Sequence, residues 1–198
     1  MKQDKILNNK VLTTEEVLNY SMYLSIVSYY LVSFVNNNIV RTIVSNTILL
    51  TYLYTPIFKK IPLIKNMIVA LIITQAPLTG ALIVEGNIQN IIPACLYLFN
   101  LIMWQEIILD IQDIDGDKQN NIKTLPVLYG HNISNQIALG FLILGTLLPY
   151  GFSIIFFILQ LPLIFINTYA ISHDKVLKKP ILKISKIVML ISGIYMCL

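Results

Sequence analysis

Four of the ten acidic side chains in this 198-residue chain fall within eight consecutive positions, inside the stretch Glu106 to Gly130, EIILDIQDIDGDKQNNIKTLPVLYG. If the apolar run from Leu96 to Leu109 continues as helix for a turn or two, Asp110, Asp113 and Asp117 fall at i, i+3 and i+7, along one narrow face, and Asp115 points elsewhere. Three carboxylates that close repel one another unless a cation compensates them. Carboxylate oxygens are the ligands that Mg²⁺ takes while it keeps waters and substrate phosphates. The chemistry open to such a face is the holding of a metal-bridged phosphate or diphosphate. Asp115-Gly116 supplies the turn chemistry that ends the helix, and Lys118 and Lys123 add positive charge beside the acidic face. An EF-hand calcium loop is excluded by the letters: with Gly116 at its sixth position, the first and twelfth would be Ile111 and Ile122, which cannot ligate calcium. The plain alternative is a solvated acidic loop following a helix.

The elements that must position these residues are apolar. With 56% hydrophobic and only 12% charged side chains, the chain is too apolar for a soluble domain of its length, and an integral membrane protein is expected. Both cysteines, Cys95 and Cys197, sit in apolar runs, so neither a disulfide framework nor a Cys/His metal site is indicated. The opening MKQDKILNNK is polar and leads into TTEE, unlike a cleaved signal peptide. Apolar segments run Val17 to Val35, Ile39 to Phe58, Met67 to Val84, Ile88 to Leu109, Ile133 to Tyr150, Phe152 to Ile171 and Ile181 to Leu198, seven candidate spans of about 20 residues, the length a bilayer requires. A capping box, Thr13 to Glu16, opens the first, and Asn36-Asn37-Asn38 separates it from the second. Pro77, Pro93 and Pro162 lie within spans, where neighbouring helices can satisfy the freed backbone groups. Lys183 and Lys186 make the last span the weakest.

Charge sets the expected orientation. With a cytoplasmic N-terminus, the 13 lysines all fall on the cytoplasmic side and only Arg41 lies opposite. The same threading places the four aspartates in a cytoplasmic loop facing the loops that carry Lys59, Lys60 and Lys65. Most of these lysines obey the positive-inside rule whatever the protein does; their convergence with the aspartates is what suggests a site. No nucleic-acid partner is expected.

Glu106 to Gly130 resembles the second aspartate-rich motif of the UbiA superfamily of intramembrane prenyltransferases, close to RE-x-x-x-D-x-x-D-x-x-G-D followed by TLPV and a glycine. Glu106, Asp110, Asp113, Gly116, Asp117, Thr124, Leu125, Pro126, Val127 and Gly130 fall in place, with Gln105 where arginine is usual. The segment from Tyr54 through Lys59 and Lys60 to Asn66, then Ala70, Pro77 and Gly80, resembles the family's tyrosine-lysine loop and the helix after it. The resemblance implies an all-α, multi-pass transmembrane bundle, one domain over residues 1–198, with about seven of the family's usual nine helices. It further implies Mg²⁺ on a prenyl diphosphate, whose allylic cation a lipid, glyceryl-phosphate or aromatic acceptor captures among membrane lipids. By carry-over, Asp110, Asp113 and Asp117 are the expected metal ligands and catalytic carboxylates. Lys59, Lys60, Lys123 and Asn66 are expected to contact substrate. Tyr54 is either a shield for the cation or an interfacial aromatic.

The family's first aspartate motif, N-D-x-x-D-x-x-x-D, is expected to be incomplete: Asp4-Lys5-Ile6 resembles its end, with Lys10 near the family's arginine, so the domain reads as truncated at its N-terminus. Function therefore divides between a UbiA-type prenyltransferase, completed by more chain or by a second chain supplying the first motif, and a catalytically inactive relative acting as a structural or partner-dependent membrane protein. A transporter would want ionisable groups deep in the spans, where Glu106 is the only acidic candidate. CDP-alcohol transferases would require a D-G, A-R, G-x-x-x-D-x-x-x-D array that is absent from these letters.

Overall fold

In the computed structural model, residues 13–148 and 154–173 are described, together with positions 184, 187, 188, 191 and 192. Their regular structure is helical: α1 (Thr14–Ser33), α2 (Asn38–Tyr54), a 3₁₀ turn (Phe58–Lys60), α3 (Ile64–Ile83), α4 (Ile88–Gln112), α5 (Ile114–Gln119), α6 (Leu125–Leu147) and α7 (Ile154–Ser172). Six of the seven apolar segments thus coincide with helices. The seventh, Ile181 to Leu198, lies largely outside the described residues, as do Asp4, Lys5 and Lys10.

Local sequence explains the helix ends. Thr13 and Glu16 form the expected capping box: the Glu16 N–H donates to Thr13 Oγ1 at 3.2 Å, and the Glu16 carboxylate accepts from the Thr13 N–H at 2.7 Å. Asn37 caps α2 by accepting from the N–H groups of Ile39 and Val40, and its side-chain amide donates to the Leu82 carbonyl, tying α2 to the far end of α3. Arg41 donates to the carbonyls of Ser33 and Val35, satisfying the C-terminal end of α1. Pro77, Pro93 and Pro162 are carried inside continuous helices.

The helices run up and down, each packing on its neighbour, with α4 at the centre between α3 and α6. Tyr97, Leu101, Trp104, Ile107 and Ile108 of α4 bury against Leu125, Ala138 and Leu142 of α6 and Phe156, Leu163 and Ala170 of α7. At Gly145 of α6 an added Cβ would lie 2.9 Å from Asn100 Cβ, so α4 and α6 approach too closely there for any side chain. Polar side chains bridge the apolar layers. Tyr97 Oη donates to Gln160 Oε1, Gln160 Nε2 donates to Ser192 Oγ, and Trp104 Nε1 donates to Asn167 Oδ1. In a bilayer such bonds hold helices together, because lipid tails compete for apolar contact but not for hydrogen bonds.

Many large apolar side chains also stand on the outside. Ile26, Phe34, Val84 and Phe165 are each at least 68% exposed, a surface that only lipid or another protein would cover. Ile64–Ile83 and Ile88–Gln112 are long and apolar enough to cross a membrane by length and composition; among the described residues the other expected spans are shorter or carry more polar side chains.

Candidate active site at one end of the bundle

The C-terminal ends of α2 and α4, the first turn of α3, and α5 come together at one end of the bundle. Asp110, the last aspartate before α4 ends, is 7% exposed. Its Oδ1 lies 2.6 Å from Lys65 Nζ, and its Oδ2 accepts a 3.0 Å hydrogen bond from Asn66 Nδ2. Lys65 and Asn66 stand in the first turn of α3, which is entered through Leu63 at a positive φ of 63°. That backbone conformation is rare for a branched side chain, and it swings the chain from the basic 3₁₀ turn into the helix just ahead of the two residues that grip Asp110.

The helix does not continue through the aspartates. It stops at Gln112, Asp113 takes φ −104° and ψ 14°, and α5 starts afresh at Ile114. A face shared at i, i+3 and i+7 is therefore not formed: Asp110 is buried on α4, Asp113 is the junction, and Asp117 belongs to α5. The junction is closed by the backbone, with the Asp113 N–H donating to the Leu109 carbonyl and the Asp117 N–H donating to the Asp113 carbonyl. Nor does Asp115-Gly116 end the helix. It lies within α5, and the chain turns at Asn120-Asn121, where Asn121 adopts φ 53°.

Glu106, Asp110 and Asp117 all lie near enough to act electrostatically on the Tyr54 phenol, and Asp110 and Asp117 on each other. Tyr54 is half-buried and borders a cavity of about 310 Å³ between α2 and α3, lined by Thr51, Tyr54, Thr55, Val69, Ile72 and Ile73. Of the residues singled out from the sequence, Tyr54, Asn66, Asp110 and Asp117 are thus brought together. Lys59 and Lys60 are exposed on the 3₁₀ turn, and Lys123 is exposed in the loop before α6. Lys65 is the lysine that pairs with an aspartate, and among the described residues these three exposed lysines do not close on Asp110, Asp113 or Asp117. Lys65, which charge convergence placed among the lysines facing the aspartates but which has no place in the motif, is the lysine that reaches them.

Among the described residues no three acidic, histidine or cysteine side chains gather closely enough to enclose a metal ion. The donor chemistry nonetheless suits a hard cation. Asp117 Oδ2 and Asn66 Oδ1 are shielded acceptors with no hydrogen-bond donor, and every candidate ligand atom is oxygen. Asp110 differs, because both of its oxygens are already engaged.

The chain has relatives among known proteins. The chain is 38% identical over 117 residues to a digeranylgeranylglyceryl phosphate synthase of Sulfolobus acidocaldarius, a stretch that covers 57% of this chain and 42% of the relative. It is 36% identical over 138 residues to the synthase of Sulfurisphaera tokodaii, covering 65% and 49%, and 37% identical over 136 residues to that of Methanococcus aeolicus, covering 65% and 46%. The chain thus spans less than half the length of these curated relatives. A solved structure concerned with digeranylgeranylglyceryl phosphate synthase in membranes superposes with a TM-score of 0.69 at 26% identity, over 98% of this chain and 73% of that one. The pattern of the UbiA prenyltransferase family matches residues 2–192, spanning every helix that builds the site, and the chain belongs to that family of integral membrane proteins.

Proposed function

We propose that this chain carries the second acidic half of a Mg²⁺-dependent prenyltransferase site, one that transfers a prenyl group from its diphosphate to a glyceryl-phosphate lipid acceptor. The observation that carries this reading is the convergence of Tyr54, Lys65, Asn66, Glu106, Asp110 and Asp117 at one end of an apolar bundle, with the shielded Asp117 Oδ2 lacking a donor. The relatives named as digeranylgeranylglyceryl phosphate synthases favour a glyceryl-phosphate acceptor over an aromatic one.

Each residue has a part that follows from its position. Asp117, with Asp113 one turn before it and Asp110 once released from Lys65, would hold Mg²⁺, which when bound supplies compensation for charge on a diphosphate. Lys59, Lys60 and Lys123, exposed at the same end, would meet the outer phosphate oxygens as solvated point charges. The cavity beneath Tyr54 would take the first isoprene units, its mostly apolar wall keeping water from the allylic carbon. The Tyr54 ring at its rim would face positive charge developing there. The cytoplasmic side, where lysines concentrate, is the expected location of this end.

Binding of a fluorescent prenyl diphosphate to the purified protein, titrated with and without Mg²⁺, tests the proposal. Asp117→Ala and Asp113→Ala are each expected to abolish the Mg²⁺-dependent part of binding while membrane insertion stays unchanged. Binding that is unchanged in both variants would remove the metal site.

A further inference from the structure

Lys65 is not explained by the aspartate spacing. Its ammonium sits 2.6 Å from Asp110 Oδ1, with the two side chains only 11% and 9% exposed, and Asn66 Nδ2 takes the other carboxylate oxygen. Asp110 is therefore neutralised and capped by groups of its own chain, whereas Asp117 Oδ2 and Asn66 Oδ1, in the same cluster, are shielded with no donor. Lys65 is also placed against its own helix. It is the second residue of α3, where the aligned peptide dipoles disfavour a cation, so Asp110 is what holds the ammonium in place. A metal ion arriving at Asp110 would meet this positive charge at contact range, in surroundings that screen it little.

Resting on the reading above, we infer that Lys65 is the resident counter-ion of the acidic site and makes the binding of divalent metal and of diphosphate depend on each other. Metal alone must displace an ammonium that is paired with the Asp110 carboxylate. A diphosphate offers that ammonium anionic oxygens, which frees the Asp110 carboxylate for metal as the leaving group's charge enters the site. Linkage is reciprocal, so metal tightens diphosphate binding by the same factor.

The test uses the full chain in detergent, with Mn²⁺ as the metal probe, followed by the loss of its free-ion electron paramagnetic resonance signal, and a fluorescent prenyl diphosphate as the anion probe. Lys65→Gln keeps a hydrogen-bond donor toward Asp110 and removes the charge; Lys65→Arg keeps both. Lys65→Gln is expected to bind Mn²⁺ about tenfold more tightly than wild type in the absence of diphosphate, with Lys65→Arg close to wild type. In wild type, saturating Mn²⁺ should tighten prenyl diphosphate binding by about tenfold, and in Lys65→Gln by no more than about threefold. A merely structural lysine predicts the opposite, since its loss would loosen the site. Mn²⁺ affinity in Lys65→Gln equal to or weaker than wild type overturns the inference while leaving the metal site standing. If Lys65→Gln does not fold, the wild-type coupling decides, and a factor near one overturns the inference. Failure of wild type to bind Mn²⁺ even with prenyl diphosphate present removes the proposed function itself.

Discussion

A charge that has lost its water is compensated only by what touches it, and at Asp110 those groups are Lys65 and Asn66. Removing one partner should cost far more than removing both. Lys65→Met is expected to destabilise the protein by about 3–5 kcal/mol because the buried carboxylate is left alone, and the double change Lys65→Met/Asp110→Asn by less than half of that. Thermal unfolding in detergent, followed through the buried Trp104, measures both. Equal losses in the single and double variants would mean that the pair contributes packing rather than charge compensation. Asn66 and Asp110 were legible as candidate site residues because each occupies a place in a motif, and the structure brings them together. Lys65 was legible only as one of three loop lysines facing the aspartates; that it alone of the three is buried against a carboxylate comes from folding.

Helix boundaries were legible where side chains set them and illegible where tertiary structure does. The Thr13–Glu16 box follows from hydrogen bonds made within three residues and stands where the letters put it, and the expected break at Asn36-Asn37-Asn38 is where Asn37 caps α2. The break at Asp113 has no glycine or proline to announce it, so the aspartate run reads as one helix when it is two. The reverse holds at Gly130. It lies inside α6 with φ 80° and ψ 167°, a conformation open almost only to glycine, and it breaks the segment Leu125–Leu147 into a short arm and a long helix. Gly130→Ala should therefore destabilise by about 1–3 kcal/mol although nothing crowds the new methyl group. Gly145→Ala should destabilise for the other reason, the 2.9 Å approach to Asn100. Gly140, uncrowded and without a positive φ, is the control, where alanine is expected to be neutral or to stabilise by about 0.5–1 kcal/mol. A loss at Gly140 matching that at Gly130 would show that backbone conformation is not the cause.

At the scale of the whole molecule, composition alone was enough for a membrane bundle, because no soluble fold could bury this much apolar surface in 198 residues. Which loops meet was legible only through charge, the aspartates and lysines converging on one end. The structure adds an independent thread: Asn37 bonds Leu82 at one end of the bundle while Lys65 bonds Asp110 at the other, so the ends are distinct and separated by the length of α3. If the bundle spans the bilayer with its acidic end in the cytoplasm, exposed residues at the two ends must face different compartments. Asp115 on α5 and Glu85 in the turn after α3 are both exposed. In a Cys95→Ser/Cys197→Ser background, Asp115→Cys should react with a membrane-impermeant maleimide only in inside-out vesicles, and Glu85→Cys only in right-side-out ones. The reversed pattern would keep the bundle and invert its orientation, placing the site away from cytoplasmic diphosphates. Labelling of both cysteines from one side would break the up-and-down threading on which the site depends, because α3 could then no longer carry Lys65 to one membrane face and Leu82 to the other.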